Sequence, residues 1–171
     1  MLWNLLLTAI SCSTPESDLG LGNNPLLSGC GGFTDELDRH YDSDTKSCGD
    51  DRLIWGYDST TQTATFMNEG VFLNCCGLHS ISITQQTNGT YVITQIDEPE
   101  IDDGHELRCG CMCLFDYGIS LHDVPEESIP IQIVRYVPDN NPNTWTAWEG
   151  TLDLSEGNGE VLIQADVGWC D

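Results

Sequence analysis

Apolar and polar positions alternate along most of this chain, and the longest alternation runs from residue 107 to 121. Every odd position there is apolar or cysteine: Leu107, Cys109, Cys111, Cys113, Phe115, Tyr117, Ile119 and Leu121. The even positions are mostly small or polar. Successive side chains on a strand point to opposite faces, so a period of two predicts a strand with one buried row. The three cysteines of the C-x-C-x-C run are therefore expected to continue that row. Shorter runs of the same kind predict strands over residues 52–57, 63–67, 71–75, 79–85, 91–97, 106–121, 129–137, 144–154 and 160–165. Asn88-Gly89 between two alternating runs predicts a hairpin, since that pair tolerates the positive φ angles of a tight turn. Ser155-Glu-Gly-Asn-Gly159 predicts a second hairpin.

No long segment carries a 3.6-residue period, and a short helix over 34–41 is the one helical expectation. Residues 13–51 are rich in Gly, Ser, Asn and Asp and read as tether and irregular loop. Many short strands with frequent turns predict an all-β fold, an antiparallel β-sandwich rather than a closed barrel. The sandwich domain is expected over 30–171, after a polar tether over 12–29.

Composition sharpens this picture. The 171-residue chain has 28 acidic residues against five basic ones, a net charge of −23. The basic residues are Arg39, Lys46, Arg52, Arg108 and Arg135. Neutralising phosphates needs clustered Lys and Arg, so nucleic acid is excluded as a partner, and anionic membrane surfaces are disfavoured for the same reason. A hydrophobic fraction of 39% with five tryptophans supplies a core that a disordered chain would lack. The acidity fits a solvated, self-repelling surface of an exported protein. It also offers oxygen ligands for Ca²⁺ at Asp97, Glu98, Glu100, Asp102 and Asp103, with a second cluster at Asp42, Asp44, Asp50 and Asp51. Neither has the spacing of the twelve-residue calcium loop. A solvated loop is the favoured reading of both.

Residues 1–11 form a short apolar run, too short to span a bilayer, which takes roughly 20 residues. Its length suits the apolar core of a secretory signal. Ala9-Ile10-Ser11-Cys12 resembles the lipobox of bacterial lipoproteins, although Ala9 stands where that family usually has leucine and no Lys or Arg precedes Cys12. The resemblance implies cleavage before Cys12, lipid attachment to its thiol, and an envelope location. Ser13 after the cysteine implies outer-membrane sorting. The alternative is an N-terminal strand or helix with an ordinary buried cysteine.

Setting Cys12 aside from the nine cysteines leaves eight: Cys30, Cys48, Cys75, Cys76, Cys109, Cys111, Cys113 and Cys170. An even count in an exported chain reads as a disulfide framework, with 105 conceivable pairings for four bridges. The preferred assignment joins Cys75 and Cys76 to two of the 109–113 row, Cys30 to Cys48, and Cys170 to the remaining row cysteine. The competing reading is a zinc or copper site built from these thiols with His79 and His105. On a strand rising about 3.3 Å per residue, Cys109 and Cys113 lie roughly 13 Å apart, too far to share one ion. Disulfides are favoured on that ground.

Chemistry beyond this is sparse. No G-x-S-x-G, H-E-x-x-H or phosphate-cradling glycine loop occurs. The four histidines, His40, His79, His105 and His122, are scattered. Trp145 and Trp148 fall on opposite faces of their predicted strand, so at least one is expected exposed, where it could stack on a sugar or peptide. The segment from Tyr117 to Val134 resembles late hairpins of immunoglobulin-like domains. The Cys-Cys dipeptide followed by a C-x-C-x-C strand resembles exported β-sandwich proteins of bacteria, a likeness that implies architecture and no activity. The resulting expectation is a non-catalytic, lipid-anchored envelope module that binds protein or carbohydrate or serves structurally. Cys/His metal handling and a carboxylate-dependent hydrolase are the alternatives.

Overall fold

The computed structural model describes residues 22–32 and 48–168. The short helix expected over 34–41, the leader, Cys12, Asp42, Asp44 and Cys170 lie outside the described residues, as does the side chain of Cys48. Eleven strands account for most of the described chain. They are β1 (Gly22–Leu27), β2 (Cys48–Asp58), β3 (Thr63–Asn74), β4 (Leu78–Gln85), β5 (Tyr91–Glu98), β6 (Glu100–Asp102), β7 (His105–Leu107), β8 (Met112–Leu121), β9 (Ser128–Tyr136), β10 (Thr144–Asp153) and β11 (Asn158–Gly168). A five-stranded sheet in the order β1-β8-β3-β2-β11 packs on a four-stranded sheet in the order β10-β9-β5-β4. The pair β6-β7 forms a small hairpin of its own. The fold is a disulfide-stapled β-sandwich. Its pairings are antiparallel with the exception of β5 and β9, which run parallel.

The inward rows come straight from the alternation. Leu53 and Trp55 of β2, Ala64, Phe66, Val71 and Leu73 of β3, and Cys113, Phe115, Tyr117, Ile119 and Leu121 of β8 face Ile81 and Ile83 of β4, Ile93 of β5 and Ile129, Ile131 and Ile133 of β9 in one core. The two expected strands at 63–67 and 71–75 are one strand, β3, with a bulge between Asn68 and Val71. An extra residue in a strand flips side-chain parity, so the inward row passes from even to odd numbers across it. Gly70 sits in the bulge at φ 74°, so close to the backbone carbonyl of Asp50 that no Cβ would fit. A β-branched residue there would meet both obstacles.

Several expectations are corrected. Residues 22–27 form a paired strand rather than tether: β1 lies along β8, and Ser28 extends the contact, with its N–H donating to the Asp116 carbonyl at 3.0 Å and its Oγ accepting from the Asp116 N–H at 2.8 Å. The sandwich thus includes residues before position 30. The long strand expected over 106–121 is broken. Only residues 112–121 belong to β8; residues 105–107 turn back on β6, and residues 108–111 form a connector. Asp103 and Gly104 at the β6-β7 turn have φ of 48° and 80°, which is the type I′ conformation that an Asp-Gly pair favours.

The hairpin expected at Asn88-Gly89 is present, closed by Gln86 N–H to the Thr90 carbonyl at 2.8 Å. The one expected at 155–159 is not a hairpin, because β10 and β11 lie in different sheets. A single 3₁₀ turn, Leu154–Glu156, carries the chain across, and the fully buried Leu154 draws it between the sheets. Likewise β8 and β9 belong to opposite sheets, so the 117–134 segment crosses the sandwich instead of forming a hairpin.

Candidate functional site

One end of the sandwich gathers most of the unusual chemistry. Here the corner between β3 and β4, residues 74–78, meets the connector 108–111. Cys75 bonds to Cys111 and Cys76 to Cys109, with Cα separations of 5.7 and 5.3 Å, inside the range that a disulfide spans. Cys30 bonds to Cys113 at a Cα separation of 5.4 Å. The expectation that Cys75 and Cys76 join two of the row cysteines is met. The pairing of Cys30 with Cys48 is not, and Cys113 is not left for Cys170, because the β1 segment runs beside β8 and delivers Cys30 directly to Cys113.

The buried cysteine row needs the same correction. Cys113 is buried within β8, whereas Cys109 is half-buried and Cys111 exposed, both on the connector. A continuous strand would have sent the three thiols to one face. The break at 108–111 lets two of them reach the adjacent Cys75 and Cys76 instead.

Polar contacts hold the same corner independently of sulfur. The Asn74 side chain accepts from the Cys76 N–H at 3.0 Å and the Cys109 N–H at 3.3 Å, and donates to the Cys109 carbonyl at 2.8 Å. The Cys75 N–H donates to the Cys111 carbonyl at 3.2 Å. Arg108 reaches from the connector to Asp97, pairing with its carboxylate and donating to its carbonyl at 2.8 Å. The guanidinium also lies 2.6 Å from Asp139. Gly77 passes so near the Asp97 carboxylate and Arg108 that a Cβ would collide with both.

Behind this corner, His79 projects inward from β4. Its side chain is 6% exposed and packs on Phe115, ring centroids 4.3 Å apart. Its Nδ1 lies 3.1 Å from the Tyr117 hydroxyl and 3.9 Å from Asp97, while Nε2 has no hydrogen-bond partner among the described residues. Burial holds the imidazole below its ordinary titration range, against the pull of Asp97. Burial and the nearby Asp97 charge push Tyr117 far above the usual phenol range, partly offset by Arg135. Tyr117 therefore stays protonated, and its hydroxyl is hydrogen-bonded to a neutral His79.

A second polar cluster crosses the middle of the core. Arg135 of β9 donates through Nη1 and Nη2 to Asp51 of β2 at 2.6 and 3.0 Å, through Nε to Gln95 of β5 at 2.9 Å, and through Nη2 to Asn68 of β3 at 3.1 Å. Asn68 donates to Asp51 at 2.8 Å, and Gln95 to Asn68 at 2.7 Å. All four are buried, and they link both sheets. Sequence reasoning missed this network and the Asp97–Arg108 pair. The available signal was a polar residue in an otherwise apolar row: Asp51, Gln95, Asp97 and Arg135 each occupy an inward position.

The remaining expected site residues disperse. Asp97 is 1% exposed and committed to Arg108, while Glu98, Glu100, Asp102 and Asp103 are exposed on and beside the β6-β7 hairpin. No three of these carboxylates converge; among the described residues the metal-ligating atoms that do are the sulfurs of Cys75, Cys76 and Cys109. Asp50 and Asp51 separate as well, the first accepting from the Asp166 N–H at 3.2 Å and the second held by Arg135.

Trp145 and Trp148 do not fall on opposite faces. A bulge between Thr146 and Trp148 sets them against Arg135 and Ile133, two inward positions of β9, so both pack half-buried against the core. The Trp148 ring lies against Gly150, where a Cβ would strike it. Neither is presented as a free stacking surface.

Three disulfides imply folding in an oxidising compartment of the extracellular type. No helix among the described residues is long and apolar enough to cross a membrane. In comparisons with known proteins, no family model, curated protein or solved structure matches this chain.

Proposed function

We propose that this chain is an exported, non-catalytic envelope module that binds a protein or carbohydrate partner and is tethered by a lipid on Cys12. The observation that carries the reading is the set of three long-range disulfides, 83, 36 and 33 residues apart in sequence. In the chain-entropy picture, loops of these lengths make each first closure worth about 4 kcal/mol, a device suited to a domain that must persist outside the cell. The lipobox-like Ala9–Cys12 supports the anchor, and the acidic balance supports solubility at a surface.

The best-placed contact element is the β6-β7 hairpin. It projects from the stapled end with Ile101 59% and Leu107 42% exposed among Glu98, Glu100, Asp102, Asp103 and Glu106. Leu78, 57% exposed, adds an apolar group at the start of β4. The buried carboxylates Asp51 and Asp97 are each locked to an arginine, which speaks against their serving as free acid or base groups.

The test is expression of the full chain in a Gram-negative host, with membrane fractionation, mass analysis of the N-terminus, and screening of envelope proteins and glycans. A diacylglyceryl group on Cys12, release of the Cys12→Ala variant from the membrane, and partner binding weakened at least tenfold by Ile101→Asp with Leu107→Asp are the expected results. A cytoplasmic chain with reduced thiols, or turnover of a hydrolase substrate, would sink the proposal.

A further inference from the structure

The paired bridges Cys75–Cys111 and Cys76–Cys109 are redundant as staples. Once Cys75 is tied to Cys111, Cys76 and Cys109 are already neighbours, and closing so small a remaining loop removes little further chain entropy. The corner is also held without sulfur by the three Asn74 hydrogen bonds, by the Cys75 N–H bond to the Cys111 carbonyl, and by Arg108 on Asp97. Four sulfurs are thus concentrated where fewer would suffice, on a scaffold that keeps them together.

Their geometry fits an ion. The sulfurs of Cys75, Cys76 and Cys109 lie within 4.8 Å of one another, and that of Cys111 is bonded to the first. Thiolates about 2.3 Å from a tetrahedral or trigonal metal sit roughly 4 Å apart. Once the bridges open, Cys75, Cys76 and Cys109 therefore need little movement to share one ion, and Cys111, outside that group, swings in as the fourth ligand. This escapes the objection to the 109–113 row, because Cys113 takes no part and the other ligands come from a second segment. All three of the converging cysteines are half-buried, which leaves an entry path. The surrounding net charge of −23 raises the local cation concentration.

We infer that the reduced clasp, Cys75, Cys76, Cys109 and Cys111, is a thiolate site for one soft closed-shell ion, Zn²⁺ or Cu⁺. A dithiol opens each bridge by two exchange steps: the protein S–S bond breaks, two protein thiols form, and the dithiol leaves as a disulfide. Each thiol that then binds the ion releases its proton to solvent. Soft thiolate sets select these ions over Ca²⁺ or Mg²⁺. The oxidised bridges and the loaded site are alternative closures of the same corner.

The experiment uses the full chain reduced anaerobically with a phosphine, which opens the same bridges by taking an oxygen from water. Zn²⁺ or Cu⁺ is then titrated against a chromophoric chelator, with alkylation rates mapped cysteine by cysteine and far-UV circular dichroism recorded. One ion per chain is expected, with alkylation slowed at least tenfold by Zn²⁺ at all four clasp cysteines. Cu⁺ in a three-sulfur site would protect Cys75, Cys76 and Cys109 and leave Cys111 reactive. Cys30 and Cys113 should react at the same rate with or without metal.

Cys76→Ser with Cys109→Ser, which retains the Cys75–Cys111 staple in the oxidised fold, should bind the ion at least 100-fold more weakly after reduction. Cys30→Ser with Cys113→Ser should keep the stoichiometry. The inference is overturned if neither ion protects the clasp, if every cysteine in the chain is slowed alike, if the Cys76/Cys109 variant binds as tightly as the parent, or if the reduced, metal-saturated chain loses its β-sheet signal.

Discussion

Arg135 and Arg108 each neutralise a buried aspartate, yet they do so in different places and for different ends. Arg135 sits in the middle of the sandwich, where strands of both sheets surround it with four acceptor oxygens, from Asp51, Asn68 and Gln95. Arg108 comes from an irregular connector and ties Asp97 at one end of the core to Asp139, which is 46% exposed. The first fixes how the two sheets sit over one another. The second fixes how loops fold onto an already formed sheet end. A polar group in a core is costly unless every hydrogen-bonding site is matched. The central network meets that condition by drawing partners from four strands, so it couples their registers. The terminal cluster is matched less fully, since His79 Nε2 has no partner among the described residues. Its cation comes from the connector rather than from a strand, so it can be loosened without moving the sheets.

The largest effect follows from breaking the central pair. Arg135→Leu leaves Asp51 buried without its cation and should cost about 3–5 kcal/mol of unfolding free energy, measured by the denaturant midpoint. Adding Asp51→Leu should recover most of that loss, since a buried ion pair replaced by apolar side chains is often neutral or better. If the single variant costs no more than a surface substitution, the network does not couple the sheets.

Much of this fold was legible in the residues, because a sandwich core is written as alternation and the turns as Asn-Gly and similar pairs. The inward rows of β2, β4, β5, β8 and β9 match the periodic runs. What failed shares one physical cause, the insertion of something that changes parity or direction. The bulge at Gly70 fused two expected strands, and the bulge beside Trp148 put both tryptophans on one face. The Asp103-Gly104 turn folds residues 105–107 back on β6, so the chain reaches β8 through the connector 108–111 that breaks the cysteine row. Yet Asp-Gly is as strong a hairpin signal as Asn-Gly. Leu154 drew a supposed hairpin across the sheets because a buried leucine outweighed the turn residues around it. At the candidate site, the link from the Cys-Cys dipeptide to the row was legible from clustering alone. Cys30–Cys113 was not, because it depends on β1 running beside β8, and the Gly-Asn-Asn-Pro sequence around it reads as loop.

A smaller effect is expected at the other arginine. Arg108→Gln removes the cation from Asp97, but the aspartate keeps the Asn74 N–H at 3.3 Å, and Asp139 is free to turn toward water. The loss should be about 1–3 kcal/mol. Amide exchange should quicken around residues 74–78 and 108–111 while protection of β2, β3 and β9 is retained. Equal quickening in the central strands would erase the distinction between a sheet-coupling network and a loop-tying one.

The smallest effect separates the two regions by pH. His79 belongs to the terminal cluster, facing Asp97, Arg108 and Tyr117 and stacked on Phe115, and its burial keeps the folded imidazole neutral below the ordinary value of 6.5. In the unfolded chain that imidazole takes up its proton as the pH falls through 6.5. The unfolded state then binds more protons than the folded one, so stability declines on acidification below about neutral pH and is fully present above it. His79→Gln keeps a side chain able to hydrogen-bond the Tyr117 hydroxyl but cannot titrate. Its denaturation midpoint should therefore fall less than that of the parent between pH 7.5 and 5.5, as read from paired urea titrations across that interval. Arg135→Leu, which leaves His79 in place, should keep the parent's pH slope on its lower baseline. Parallel curves for the parent and His79→Gln would mean that the folded imidazole titrates as freely as the unfolded one, and that burial in the terminal cluster exerts no hold on its proton.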